Sequence, residues 1–309
     1  MSSGAFPAVL PPFLKEIESI LRKAGVAMTL LVVALLALLG ALYHEPLQVV
    51  WRAWTKEQGY YSHGPLVPFV AAWMLWGRKE TLRAIPIRPS WGGLAVLVPC
   101  SLVYLASTLC HMYPPKYVAF VFYLLGFNYL FFGREMVRAT LLPWLFLFFM
   151  VPLPDGLIDL ITYKLRIFVT AAAVSLSPPD WYVVYSGNYI HFHNADVLVV
   201  GDVCAGLRSL ISLLALGAVF AYQSRLSPLG SLILFILSAP VAVVTNILRI
   251  FALVAVAHYW GSGVASGKVH DLSGWAIFVV AFGMLFLLYW GLEQIPGLTE
   301  KRAPKGTES

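Results

Sequence analysis

Long apolar runs recur along almost the whole chain, and short segments holding Lys, Arg, Gly and Pro separate them. About 20 apolar residues in a helix, at 1.5 Å per residue, match a bilayer core of about 30 Å. The pattern predicts eight transmembrane helices, over roughly 25–43, 61–77, 91–110, 117–133, 139–154, 205–222, 229–257 and 273–292. Two of these, 61–77 and 139–154, are short or interrupted by proline. The run 157–176 is apolar too, but Lys164 and Arg166 stand near its middle. Charges at that depth favour a helix at the interface, or packed against the bundle, over one crossing the hydrocarbon.

One stretch departs from this pattern. Trp181–Tyr185 and Tyr189–His193 alternate β-prone residues around Ser186-Gly187-Asn188, which predicts a β-hairpin. A strand at Val197–Val200 follows and delivers the chain to Cys204. The expected fold is an all-α polytopic membrane protein of about eight transmembrane helices with a small extracytoplasmic β-hairpin insertion. It would comprise a cytoplasmic N-terminal segment (1–24), a single membrane-embedded domain (25–292) and a cytoplasmic tail (293–309). The passage from Lys15–Lys23 into a full-length span argues against a cleavable signal peptide. No internal repeat of the kind common in secondary transporters stands out.

Composition agrees with that reading: 60% of residues are hydrophobic and 12% charged, against about 25% charged in soluble domains. The net charge of +6 sits in the connecting segments, as membrane topology requires, and this excludes nucleic acid as the expected partner. With the N-terminus inside, the cytoplasmic side collects Lys15, Arg22, Lys23, the Arg78–Arg88 cluster, Arg134, Arg138, Arg225 and Lys301–Lys305. The other side holds about half as many: Arg52, Lys56, Lys116, Lys164, Arg166 and Lys268. The positive-inside rule thus puts both termini in the cytoplasm and 178–203 outside. Cys100, Cys110 and Cys204 are too few and scattered for a disulfide framework, and the first two read as small hydrophobes in an apolar helix.

Candidate chemistry gathers at Gly201-Asp202-Val203-Cys204-Ala205-Gly206-Leu207-Arg208-Ser209, where a polar segment runs into an apolar helix. Unpaired N–H groups and the dipole at a helix start favour a thiolate. Asn246-Ile247-Leu248-Arg249 and His270 follow. Cys204 opens a span from outside, Arg249 lies 20 positions beyond Leu229, and His270 precedes the last span. Helix arithmetic therefore puts all three at the outer membrane face, with Asn246 one turn before Arg249. Each has a plainer reading. Cys204 could be a packing residue, Arg249 could snorkel to head groups and His270 could be a loop histidine. Arg208 could support the thiolate or bind a lipid phosphate. His191 and His193 share a strand face at the spacing of metal ligands, although exposed hairpin histidines are the commoner case.

These motifs resemble those of the exosortase/archaeosortase family of multi-pass membrane proteins. Cys204-Ala205-Gly206-Leu207-Arg208-Ser209 is similar to the family's Cys-Ser-Gly motif, with Ala205 in place of the usual Ser and Asp202 where another residue is frequent. Asn246-Ile247-Leu248-Arg249 is similar to its Asn-x-x-Arg motif, and His270 is followed by Gly274-Trp275. Upstream, Tyr61-Ser62-His63-Gly64-Pro65-Leu66-Val67-Pro68 resembles the family's early Ser-His-Gly segment.

The resemblance implies a membrane cysteine peptidase or transpeptidase in the cytoplasmic (inner) membrane, its site on the extracytoplasmic face. Its substrates would be exported proteins ending in a short signature such as Pro-Glu-Pro, one transmembrane helix and a basic cluster. Cys204 would be the nucleophile, Arg249 the oxyanion or thiolate stabiliser and His270 the general acid/base, with Asn246, Arg208, His63 and Asp202 in support. No cofactor or metal is implied. From the residues alone, a transporter or channel with a polar path through Arg249, Asn246 and His63 stays open. So does a membrane acyltransferase using the same thiol. On the resemblance its partners would be those exported proteins, together with membrane lipids; the oligomeric state is left open.

Overall fold

The computed structural model describes residues 26–299 apart from 57–58, 202–203 and 205, so the N-terminal segment 1–24, most of the tail and Asp202 lie outside the described residues. The chain forms two compact units, one up to Val49 and one from Val50 onward. Helix α1 (Val26–Thr55) makes up the described part of the first, carries Pro46 in its interior and contributes its last turns to the second. Within the first unit, Gln48 Nε2 lies 3.3 Å from His44 Nε2, one turn back.

The second unit contains α2 (Leu66–Gly77), α3 (Lys79–Ala84), α4 (Leu94–Leu109), α5 (Pro114–Phe132), α6 (Arg134–Phe146) and α7 (Asp155–Ser175). After a small sheet come α8 (Leu207–Gln223), α9 (Pro228–Trp260), α10 (Ser262–Ser266) and α11 (Lys268–Glu293). Among the described residues, five helical segments are long and apolar enough to cross a membrane: Val33–Thr55, Trp91–Leu109, Pro114–Phe132, Pro228–Trp260 and Leu272–Glu293. A sixth is reached if Arg134–Met150 and Asp155–Ser175, bent by 82° at their junction, count as one broken span. The apolar helices α2 and α8, with 12 and 17 residues, fall short of about 20 residues. Large apolar side chains such as Leu272, Val279 and Leu287 stand exposed on α11, a surface suited to lipid rather than water.

Several boundaries differ from those read in the sequence, each for a local reason. The run 61–77 becomes helical only at Leu66, because Tyr61–Pro65 folds as turns. Gly64 lies flat on Trp54, so that a Cβ there would collide with the indole. The run 139–154 ends as helix at Phe146 and continues as a 3-10 turn to Met150. Pro152 and Pro154 then hold the chain extended, since proline supplies no N–H and disfavours helix in the residue before it. The N–H left over at Leu153 donates to the Tyr61 hydroxyl at 2.9 Å, and Trp54 Nε1 donates to the Met150 carbonyl at 3.0 Å. Helix α7 then leaves at a new angle, burying Ile158, Thr162, Val169, Thr170 and Ala173 and packing on α9. Cys100 is buried, but Cys110 falls just past the end of α4 and is exposed rather than packed.

The sheet is three-stranded and antiparallel: β1 (Val184–Ser186), β2 (Tyr189–His191) and β3 (Val197–Val199) in that order. Gly187, with φ at +63°, and Asn188 make the two-residue turn between β1 and β2, where positive φ favours glycine. Strand β2 ends at His191, so His193 enters the following turn and does not share a strand face with it. Ile190, Leu198 and Val200 point inward and join Val169, Ala173, Ile250, Val254 and Cys204 in one core cluster.

Candidate active site

Three elements converge on Cys204. The thiol sits in a turn just before α8, and Gly206 separates it from the helix with φ at +88°. That conformation is strained for any residue with a Cβ. Gly206 is required for a second reason, because a Cβ there would run into the Asn246 side chain. Asn246, buried at 3% exposure on α9, uses this closeness: its Nδ2 donates to the Cys204 carbonyl at 3.1 Å. The turn is closed locally by Cys204 N–H donating to the Gly201 carbonyl at 3.0 Å.

His270 comes from the first turn of α11, which starts at Lys268, earlier than the span read in the sequence. Its Nε2 lies 2.6 Å from Cys204 Sγ. Arg249, one turn after Asn246, reaches across from α9 and holds the same turn of α11 at three points. Its Nη2 donates to the His270 carbonyl at 3.1 Å and lies 3.3 Å from His270 Nε2, while its Nε donates to Ser273 Oγ at 3.1 Å. The Ser273 hydroxyl in turn donates to the His270 carbonyl at 2.6 Å. Behind it Gly274 leaves room for the guanidinium, with Arg249 Nη2 3.5 Å from where a Cβ would stand. Trp275 is 78% exposed and takes no part.

Arg208 lies in the first turn of α8. Its Nε and Nη2 are buried without a hydrogen-bond partner among the described residues, and its electrostatic neighbours are Arg249 and Tyr60. His63 stands apart from this group. Its Nε2 lies 3.2 Å from the Phe149 carbonyl and its Nδ1 3.2 Å from Ser212 Oγ, so it ties the Tyr61–Pro65 turns to the middle of α8.

The loop before His270 is secured from the sheet. The Asp196 carboxylate accepts from the Ser262 N–H at 2.6 Å and from its hydroxyl at 2.5 Å, which holds the Asp196 carboxyl below the usual carboxylate range. Helix α9 continues for three turns beyond Arg249, farther than the run 229–257 implied. Its end packs His258 on Trp181 at 4.9 Å between ring centres.

The structure thus brings together Cys204, Arg249, His270 and Asn246, with Arg208 alongside, and sets His63 aside. Ser273 and Asp196 were not legible as site residues. Ser273 could have been found as the residue three positions after His270 on the same helix face. Asp196 carries no sequence signal. Among the described residues no cluster of three or more His, Cys, Asp or Glu offers a metal site.

The family described as transmembrane exosortase (Exosortase_EpsH) matches residues 51–287, about three quarters of the chain. No curated protein and no solved structure matches it. The family match spans the Cys204 turn, Asn246–Arg249 and His270, and on its extent this multi-pass membrane protein belongs to the transmembrane exosortase family.

Proposed function

We propose that the protein is a cysteine peptidase or transpeptidase that processes the C-terminal sorting signal of exported proteins through a thioester on Cys204. The observation that carries this reading is the 2.6 Å approach of Cys204 Sγ to His270 Nε2, with Arg249 on the same imidazole. Nucleophile, base and a cation for developing negative charge are the parts acyl transfer needs.

A guanidinium only donates, so in the neutral pair Nε2 offers its lone pair to both Cys204 S–H and Arg249. When the proton passes to Nε2, Arg249 is released from that lone pair. The Nη2 proton that had faced it is then free to turn to the sulfur or to the carbonyl oxygen under attack, while the other stays on the His270 carbonyl. The thiolate adds to the scissile carbonyl carbon, and the oxygen takes the electron pair beside Arg249. Collapse breaks the C–N bond as His270 Nε2 gives its proton to the leaving amine. The remaining thioester is attacked by water, an amine or a hydroxyl, which His270 deprotonates, and the thiol is restored.

The reading includes the topology. Five long spans, α6 with its bent partner, and α2 and α8 with their adjoining turns would complete eight crossings. Both termini, 1–24 and 293–309, would be cytoplasmic, with 25–292 embedded in the inner membrane and Cys204 extracytoplasmic. A tail made of a signature, one transmembrane helix and a basic cluster would then present its signature level with the thiol.

The test is cleavage of a reporter bearing such a Pro-Glu-Pro tail in proteoliposomes. Cys204→Ala should abolish processing at normal expression, and Cys204→Ser should do nearly the same, because a hydroxyl is far less acidic than a thiol. A transporter would tolerate both changes. Full cleavage by Cys204→Ala would end the peptidase reading.

A further inference from the structure

Arg208 is a half-buried cation whose guanidinium is placed in an unusual way. Its Nε and Nη2 are both sealed from solvent, and neither has a hydrogen-bond partner among the described residues. These two nitrogens form one edge of the guanidinium, with parallel N–H bonds spaced to fit the two oxygens of a carboxylate. Nearby charge makes the vacancy costly. Arg249 acts on Arg208 as a second positive charge, and its own partners are Ser273 Oγ, the His270 carbonyl and His270 Nε2. Neither arginine forms an ion pair with an Asp or Glu among the described residues. Two buried donors without partners carry a desolvation cost that an anion on that edge would offset.

From these observations, and resting on the peptidase reading above, we propose that Arg208 is a specificity-determining residue that binds an acidic side chain of the peptide being cleaved. Arg208 neighbours Arg249, and Arg249 touches the imidazole that meets the Cys204 thiol. A group held at the free edge of Arg208 therefore belongs to the same site as the nucleophile. An extended peptide advances about 3.3 Å per residue, so the acidic residue belongs within a few positions of the scissile bond. A peptide carboxylate fits better than a lipid phosphate because Arg208 neighbours Arg249, which touches His270 beside the nucleophile. Tyr60 stands beside Arg208, packed in the cluster of Tyr61, Ile158 and Leu207. A head group at the bilayer surface would meet an exposed guanidinium instead.

The experiment is a double-mutant cycle between enzyme and substrate in proteoliposomes. The reporters end in Pro-Glu-Pro or Pro-Gln-Pro, each followed by the same transmembrane helix and basic cluster. The wild type should cleave the Glu tail with a kcat/KM about 30-fold or more above the Gln tail, as for a buried charge pair that loses one partner. Arg208→Gln should lose most of that preference, to within about threefold. Arg208→Lys, which keeps the charge without the fork, should lie between. A wild-type elution profile and unfolding temperature in detergent verify that each variant keeps its fold.

Equal cleavage of both tails by the wild type would overturn the proposal and leave the peptidase reading standing. So would an equal loss on both tails in Arg208→Gln, or in Arg208→Lys if Arg208→Gln does not fold. Cleavage of neither tail by the wild type would end both readings. Repeating the cycle with phosphatidylcholine in place of phosphatidylglycerol separates the second anion source. If Arg208→Gln abolishes a dependence on phosphatidylglycerol while the Glu preference persists, the occupant is a lipid phosphate and the proposal fails.

Discussion

Asn246 Nδ2 donates to the carbonyl of Cys204 at 3.1 Å, joining two residues 42 positions apart across the α8–α9 interface. The bond fixes the backbone of the nucleophile itself. It is possible only because Gly206 has no Cβ, and the two residues form one device.

Gly206→Ala should therefore be severe on two counts, a clash with Asn246 and a left-handed φ forced on a residue with a Cβ. Asn246→Ala should cost about 1 kcal/mol by removing the buried hydrogen bond to the Cys204 carbonyl. The double variant removes the clash but not the backbone strain of about 1–2 kcal/mol. It should be more stable than the sum of the single changes implies, yet below Asn246→Ala. Thermal unfolding in detergent measures the cycle, and strict additivity would contradict it.

Arg249 grips the first turn of α11 with a planar fork that an ammonium cannot imitate. Arg249→Lys should lower kcat by about 10²–10³, the usual effect of losing an oxyanion donor. Ser273→Ala removes one neutral link of the same grip, worth about 1 kcal/mol. It should reduce kcat/KM about fivefold without changing the products. The contrast between the two variants, read on one reporter, tests whether Arg249 acts on the reaction or only holds the helix.

The Asp196–Ser262 link gives a pH dependence with a definite sign. Hydrogen bonds from Ser262 hold the Asp196 carboxyl below its usual range, so the ionised form is favoured in the folded state. Its contribution is present above the unfolded value of about 3.9 and is lost as pH falls through the depressed folded value. Asp196→Ala should lower the melting temperature modestly near pH 7, and the difference from wild type should shrink below about pH 4. Because the carboxylate is near solvent, the effect should stay under about 1 kcal/mol. A difference constant from pH 7 to pH 3 would mean the carboxylate charge plays no part.

Topology can be read directly by thiol labelling. An engineered cysteine at Asn188, in the β1–β2 turn, should react with an impermeant maleimide only from the extracytoplasmic side. Labelling only from the cytoplasm would reverse the orientation and place the site inside.

Much of the architecture was legible because a bilayer imposes one period and one length on every crossing helix. The run at 91–110 emerges almost intact as Trp91–Leu109 and that at 117–133 as Pro114–Phe132, while the one at 229–257 is lengthened to Pro228–Trp260. The clustering of Cys204, Arg249 and His270 followed from the same arithmetic, since helices of alternating direction bring residues at matching depths to one level. What the arithmetic could not supply is the horizontal arrangement. It does not say which helices are neighbours, so it cannot separate His63, bound to Phe149 and Ser212, from the residues around the thiol.

By itself the sequence determined that this chain lives in a membrane, where its charges gather and which polar residues share a depth. All of these follow from the free energy of moving side chains between water and hydrocarbon, a property of each residue and its near neighbours. Only the tertiary structure decided that Asn246 holds the Cys204 carbonyl, that Ser273 completes the Arg249 grip, and that two Arg208 nitrogens lie buried without a partner among the described residues. Those are contacts between distant segments. Directional hydrogen bonds and close packing at a few ångströms set them, on a scale finer than the hydrophobic pattern can specify.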